Sequence, residues 1–197
     1  MTLDRLRPLA DRLLAPFLRG ALALGVTPDA VSVVAFLLAV GAAGSFYLGG
    51  LWYLLGALLV FLNGWLDLLD GALARELETD SAGGDLLDHA LDRYADVVII
   101  AGLAAGVEQY ALGFAAVTGV LLTSYLGTQA QAVGLDRVYG GLLGRADRLA
   151  LVGVAGAVAP FVSPLGPLSV VGWLLAVFAV VGHLTALQRF WHARRAL

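Results

Sequence analysis

The sequence predicts an all-α integral membrane protein, with six transmembrane helices preceded by an N-terminal amphipathic helix lying at the membrane interface. Three observations lead there. Of the 197 residues, 60% are hydrophobic and only 14% are charged, and the mean hydropathy is +0.86, outside the usual range of soluble domains. A spanning helix needs about 20 mainly apolar residues, and six such stretches use nearly the whole length. Finally, the basic residues are all arginine and cluster in alternate connections. No stretch remains for a separate soluble unit, so residues 1–197 read as a single membrane domain.

Residues 3–24 repeat leucine at helical spacing, as Leu3, Leu6, Leu9, Leu13 and Leu14 with Phe17 and Leu18, while Asp4, Arg5, Arg7, Asp11, Arg12 and Arg19 fall largely elsewhere. That is the pattern of a helix lying in the interface. Thr27-Pro28-Asp29 is a helix-start signal, and the apolar run behind it predicts a first span over about 30–48. Gly49-Gly50 breaks the run, and a second helix is expected over about 51–78, polar in its last third. The small and polar residues from Thr79 to Gly84 mark a short connection, after which a third helix is expected over 85–106. Spans over about 111–133, 146–163 and 168–192 complete the set, with Pro160, Pro164 and Pro167 marking the last turn.

An even number of spans puts both termini on one side with the connections after spans two and four. The arginines obey this: Arg5, Arg7, Arg12 and Arg19 lie near the start, Arg75 and Arg93 flank the first of those connections, Arg137, Arg145 and Arg148 flank the second, and Arg189, Arg194 and Arg195 lie near the end. The opposite connections, near residues 49, 109 and 164, carry none. By the positive-inside rule both termini are expected to be cytoplasmic.

Absences narrow the chemistry. There is no cysteine, which excludes disulfides, thiolate ligands and thiol nucleophiles. There is no lysine, which excludes Schiff-base catalysis. Charges interrupt any apolar core near the N-terminus, so a cleaved signal is not expected. His89, His183 and His192 are scattered without metal-ligand spacing, and His89 lies about 100° around its helix from Asp88, in a supporting position. Trp52, Trp65, Trp173 and Trp191 read as interface anchors.

What remains is carboxylate. Asp67, Asp70, Asp85, Asp88, Asp92 and Asp96 all fall within spans two and three, where charge is expensive unless it faces a cavity, a partner or a metal. At helical spacing Asp67, Asp70, Gly71 and Ala74 share a face of span two, with Arg75 at its edge, and Asp88 and Asp92 stand one turn apart on span three. Asp85 and Asp96 extend that stripe, though singly they suit capping or structural roles, Asp85 because it opens a helix. Close carboxylates call for a cation, and Mg²⁺ or Mn²⁺ prefers such oxygens while keeping positions open for phosphate. The set suits phosphoryl transfer, with a remaining carboxylate to take the proton of an attacking hydroxyl.

The run Asp67-x-x-Asp70-Gly71-x-x-Ala74-Arg75, eight residues, Gly84-x-x-x-Asp88-x-x-x-Asp92 resembles the signature of the CDP-alcohol phosphotransferases position for position. The six spans and the Thr27-Pro28-Asp29 turn also look like that family. The resemblance implies two divalent ions at Asp67, Asp70 and Asp88, with Asp92 at the same site as the general base. It implies contacts to the CDP moiety from Gly71, Ala74, Arg75 and Gly84, with Asp29 assigned to the same group, and CMP as the leaving group. It also implies membrane lipids as surroundings, a homodimer, and no nucleic-acid partner.

The acceptor is read from weaker segments. Ser124-Tyr125, Gly144-Arg145-Ala146-Asp147-Arg148-Leu149, and Gln188-Arg189 with Arg194-Arg195 resemble members that use inositol phosphate. An anionic acceptor needs a cationic pocket, and Arg145, Arg148, Arg189 and Arg194 lie at the expected depth. Inositol 1-phosphate is therefore the expected acceptor. Glycerol 3-phosphate is the alternative, because Gly127, Thr128 and Gln129 stand where inositol-phosphate members carry basic residues. The lipid half of the donor reads as diacylglycerol or archaeol, with the arginine-only, acid-leaning composition tilting towards the archaeal lipid. A carboxylate-based ion transporter is the competing class, and an acidic stripe confined to one end of two helices argues against it.

Overall fold

The computed structural model describes residues 7–79, 81–136, 138 and 141–197. The expected helix start at residues 3–6, with Asp4 and Arg5, and the basic position Arg137 lie outside them. The helices are α1 (Arg7–Ala23), α2 (Pro28–Leu48), α3 (Trp52–Glu76), α4 (Ala82–Gly106), α5 (Tyr110–Ala132), α6 (Arg145–Val158) and α7 (Val170–Ala196), with one 3₁₀ turn at Ala159–Phe161. Among the described residues there is no strand beyond an isolated bridge between Leu165 and Leu168.

Local chemistry explains where the helices begin. Thr27 caps α2 by accepting from the Ala30 amide at 3.3 Å, with Pro28 in the first turn. Ser81, not Asp85, caps α4 through the Gly84 amide at 3.0 Å, so the helix opens three residues before the expected 85. Ser169 does the same for α7, which continues to Ala196, past the expected end at 192. Between α2 and α3, Gly49 and Gly50 adopt φ of 70° and 57°, a backbone that glycine reaches without steric cost.

Four helices, α2, α3, α5 and α7, are long and apolar enough to cross a membrane by length and composition. α4 has 25 residues, but its stretch up to Asp96 carries Asp85, Asp88, Asp92, Arg93 and Asp96. α6 ends at Val158, short of the expected 163, and has 14 residues. Pro160 has no amide hydrogen to continue the helix and sits in the 3₁₀ turn instead.

The main core joins Phe46 of α2, Val60 of α3, Ile99 and Leu103 of α4, Val120 of α5, Val152 of α6, and Leu175 and Phe178 of α7. A smaller cluster sets Leu14 and Ala21 of α1 against Val31, Leu69 and Leu73. The leucine stripe of α1 therefore divides: Leu14 packs on protein, while Leu13 and Phe17 stay exposed at 54% and 55%. Phe17 meets the Trp65 ring edge-on at 5.5 Å between centroids.

Glycines let two helix pairs touch backbone to backbone. A Cβ on Gly102 of α4 would run into the Ala43 backbone of α2, and one on Gly106 would strike the Phe46 carbonyl. Gly119 of α5 and Gly182 of α7 abut similarly, and Thr123 Oγ1 donates to the Gly182 carbonyl at 2.8 Å. Successive long helices alternate in direction. The start of α2, the ends of α3, α5 and α7, and the starts of α4 and α6 consequently share one end of the bundle, where the charged side chains gather.

Candidate active site

α3 delivers Asp67 and Asp70 near its C-terminal end, and α4 delivers Asp88 from its second turn. Carboxylate oxygens of the three lie within 4.8 Å of one another, a spacing suited to a shared hard cation. Asp70 is buried, and the Ser32 hydroxyl of α2 donates to its Oδ2 at 2.7 Å, fixing one oxygen and leaving the other for a ligand. Asp92, one turn beyond Asp88, is held differently. Its Oδ1 meets Arg145 Nη2 at 2.7 Å and its Oδ2 lies 3.6 Å from Arg93 Nη2.

Arg145, at the start of α6, spans the cluster: Nη1 reaches Asp67 while Nη2 reaches Asp92. Carboxylates from α3 and α4 are thus tied by a guanidinium from α6. Asp147 accepts from the Gly144 amide at 3.0 Å and so fixes the first turn of α6, from which Arg145 projects. Arg148, one turn on, is buried and donates to Asp96 Oδ2 at 2.9 Å. Asp96 also receives Arg93 Nη1 at 3.1 Å, and Arg93 in turn bonds Ser124 of α5. Asp96 therefore sits at the centre of a buried ion-pair group joining α4, α5 and α6.

Beside the carboxylates opens a cavity of about 770 Å³ between the start of α2, the end of α3 and the start of α4. Asp29, Gly71, Ala74, Arg75 and Gly84 all line it, together with Asp70 and Asp88. Gly84 keeps the wall thin, since a Cβ there would stand 3.3 Å from both Asp29 Oδ1 and Ser81 Oγ.

The four arginines expected to bind an acceptor do not share one environment. Arg145 and Arg148 are engaged by carboxylates as described. Arg189 is buried on α7 and donates from Nη1 to the Thr123 carbonyl at 2.8 Å, passing over Gly127, where any Cβ would lie 2.6 Å from that nitrogen. Arg194 is exposed near the end of α7, 5.7 Å above the Trp191 ring. His89 Nδ1 lies 2.9 Å from the Asp85 carbonyl and 3.8 Å from Asp88, beside the cluster as expected.

Sequence reasoning passed over Ser32, Asn63, Arg93 and the structural duty of Asp147. Ser32 and Asn63 were hidden in apolar runs, yet a polar side chain in such a run is itself a signal. Arg93 had been counted only for topology, although it adjoins Asp92.

Known proteins with this architecture agree. The sequence profile of the CDP-alcohol phosphatidyltransferases matches residues 25–141, more than half of the chain. An archaetidylinositol phosphate synthase of Methanothermobacter thermautotrophicus is 31% identical over 192 residues, which is 95% of this chain and 91% of that one. A phosphatidylinositol phosphate synthase of Mycolicibacterium smegmatis is 37% identical over 194 residues, covering 93% of this chain and 84% of the relative. The crystal structure of the Mycobacterium tuberculosis phosphatidylinositol phosphate synthase with CDP-DAG bound superposes with a TM-score of 0.79 at 29% identity, covering 92% of this chain and 94% of that one. The same enzyme in complex with manganese and citrate also gives 0.79, at 28% identity, over 91% and 88% of the two chains. The chain belongs to the CDP-alcohol phosphatidyltransferase family.

Proposed function

We propose that this protein is a metal-dependent transferase of phospholipid biosynthesis that moves the lipid phosphate of a CDP-lipid onto inositol 1-phosphate and releases CMP. The observation that carries the proposal is the juxtaposition of the Asp67–Asp70–Asp88 cluster with a large cavity walled by the remaining signature residues. A diphosphate in that cavity would direct its non-bridging oxygens towards cations held by the carboxylates. The relatives named for inositol phosphate products support the acceptor, and the manganese complex of the M. tuberculosis enzyme supports the cation.

In this reading Asp67, Asp70, Asp88 and Asp92 hold two Mg²⁺ or Mn²⁺ ions. When bound, such ions neutralise charge on the diphosphate and stabilise the departing CMP. Asp29, Gly71, Ala74, Arg75 and Gly84 seat the CDP moiety, the glycines by letting it approach the backbone. The acceptor hydroxyl attacks the lipid-side phosphorus, Asp92 takes its proton, and the bond to CMP breaks. Arg145, Arg148, Arg189 and Arg194 supply cationic charge for the acceptor phosphate. Because Arg148 is committed to Asp96 and Arg189 to the Thr123 carbonyl, they would act chiefly through the field and the shape they impose.

The same reading takes α2 to α7 as six spans of one membrane domain, with α4 and α6 shielded by their neighbours and α1 at the interface. Both termini and the active site face the cytoplasm, on the arginine distribution, and the protein works as a homodimer among membrane lipids. The test is CMP release by purified protein with Mg²⁺ or Mn²⁺. CDP-diacylglycerol and CDP-archaeol would be donors, with inositol 1-phosphate, glycerol 3-phosphate, serine and inositol offered in parallel. Release that needs both metal and inositol 1-phosphate is expected; release with glycerol 3-phosphate alone would reassign the acceptor, and none from folded protein would refute the activity.

A further inference from the structure

We propose that Asn63 is a positioning residue of the active site, acting on Arg145 through one buried water that accepts from Arg145 Nε and donates to Asn63 Oδ1. The inference rests on the reading of the site given above, and it begins from the position of Asn63 on α3. Asn63, Asp67 and Asp70 share one helix face, with Asn63 a turn deeper in an otherwise apolar stretch. It is 1% exposed, where an amide is costly unless every polar atom has a partner.

One half of that amide is satisfied and fixes the other. Asn63 Nδ2 donates to the Ala35 carbonyl of α2 at 2.8 Å. Only the NH₂ can donate to a carbonyl, so the amide cannot flip, and Oδ1 is turned away from the Ala35 carbonyl. Oδ1 is buried with no hydrogen-bond partner among the described residues, and so is Arg145 Nε. The two orphans are complementary, one an acceptor and the other a donor. Both residues line the same narrow cavity beneath the carboxylates, with Ser32, Asp67 and Asp92. About 10 Å³ there is open to a water's centre, room for one molecule. A water accepts from Nε–H, donates to Oδ1, and keeps a hydrogen for a carboxylate, which meets the two to four contacts that buried waters make.

The consequence concerns the plane of the guanidinium. Nη1 and Nη2 of Arg145 hold Asp67 and Asp92, and a third anchor at Nε stops the fork from rocking about the line joining them. Asn63 thereby sets how the carboxylates of α3 and α4 are presented, without touching substrate.

The test uses full-length enzyme in detergent or nanodiscs and the CMP-release assay. Asn63→Leu, close in volume and free of polar atoms, is expected to lower kcat by about 10–100-fold, the usual range for an outer-shell partner, with KM for CDP-lipid within about twofold. Asn63→Ala is expected to lose kcat in the same way and serves if the leucine variant does not fold. The decisive comparison is in an Arg145→Lys background, which keeps the charge but removes the fork and its Nε–H. There Asn63→Leu is expected to cost less than about threefold more, because the contact it serves is gone. Wild-type kcat in both Asn63 variants, or losses that multiply fully with Arg145→Lys, would overturn the proposal. Wild-type protein without metal-dependent CMP release would sink the functional reading and this one together, whereas an active wild type with an indifferent Asn63 sinks this one alone.

Discussion

Removing the Asp96 carboxylate is the sharpest test of how the site end of the bundle is held together. Asp96 is 5% exposed and Arg148 7%, and the pair closes at 2.9 Å. Arg93 also has Asp92 and Ser124, whereas Arg148 has no second carboxylate among its described contacts. Asp96→Ala therefore strands a buried guanidinium, and breaking such a pair costs about 3–5 kcal/mol. At about 1.4 kcal/mol per decade, that moves the unfolding equilibrium by roughly two to three and a half powers of ten. Asp96→Asn keeps an oxygen for Arg148 but forfeits the charge, and should cost about half as much. Replacing both partners, as Asp96→Leu with Arg148→Met, removes the stranded charge and should recover most of the loss. Thermal and denaturant unfolding of the detergent-solubilised protein, followed by tryptophan fluorescence, would read these three variants against the wild type. A loss below about 1 kcal/mol for Asp96→Ala, or a double variant no more stable than the single, would refute the argument that Asp96 exists to neutralise Arg148.

Other outcomes follow from the same geometry. Asp88→Asn should remove a ligand charge at nearly constant volume, lowering CMP release by more than the roughly 10–100-fold typical of outer-shell changes while the unfolding temperature is kept; retained turnover would overturn the metal assignment. Chelation with EDTA should stop CMP release, and Mn²⁺ or Mg²⁺ should restore it, with activity followed across the titration. Gly102→Ala forces a methyl onto the Ala43 backbone and should destabilise by about 1–3 kcal/mol, measured by unfolding, because neither helix backbone can yield as a side chain could. Arg189→Ala should raise the KM for inositol 1-phosphate and also lower stability, since its guanidinium caps the buried Thr123 carbonyl; an unchanged acceptor KM would leave it a purely structural residue.

Much of the bundle was legible because apolar runs and their breaks are local signals. Gly49-Gly50 and the Thr27-Pro28 start fell where the sequence put them. The starts of α4 and α7 and the end of α6 moved by a few residues, because serine caps and the amide hydrogen missing from Pro160 decide which backbone hydrogen bonds form, and composition does not register that. The signature aspartates were legible for a different reason, since charge inside an apolar helix has few explanations. The partners of the arginines were not. Arg145 and Arg148 are three residues apart, one turn along and about 60° around the same helix face, and looked alike, and only the way α6 packs in the bundle sends one to Asp67 and Asp92 and the other to Asp96. Asn63 and Ser32 went unread because their roles depend on which helix each one faces.

The uneven polarity of α4 bears on how the chain is made. Its stretch from Ala82 to Asp96 carries four aspartates and an arginine, while the remainder, from Val97 to Gly106, has no charge. Aspartate near the middle of an inserting helix costs about 2.5–3.5 kcal/mol, against about 0.3–0.6 kcal/mol returned by each leucine or isoleucine. In the proposed six-span reading α4 is therefore the span least able to enter the bilayer alone, and α2, whose Ala43 and Phe46 meet Gly102 and Gly106, is the neighbour beside which it would enter, so that the carboxylates of α4 reach the membrane already paired with the helix that carries Ser32.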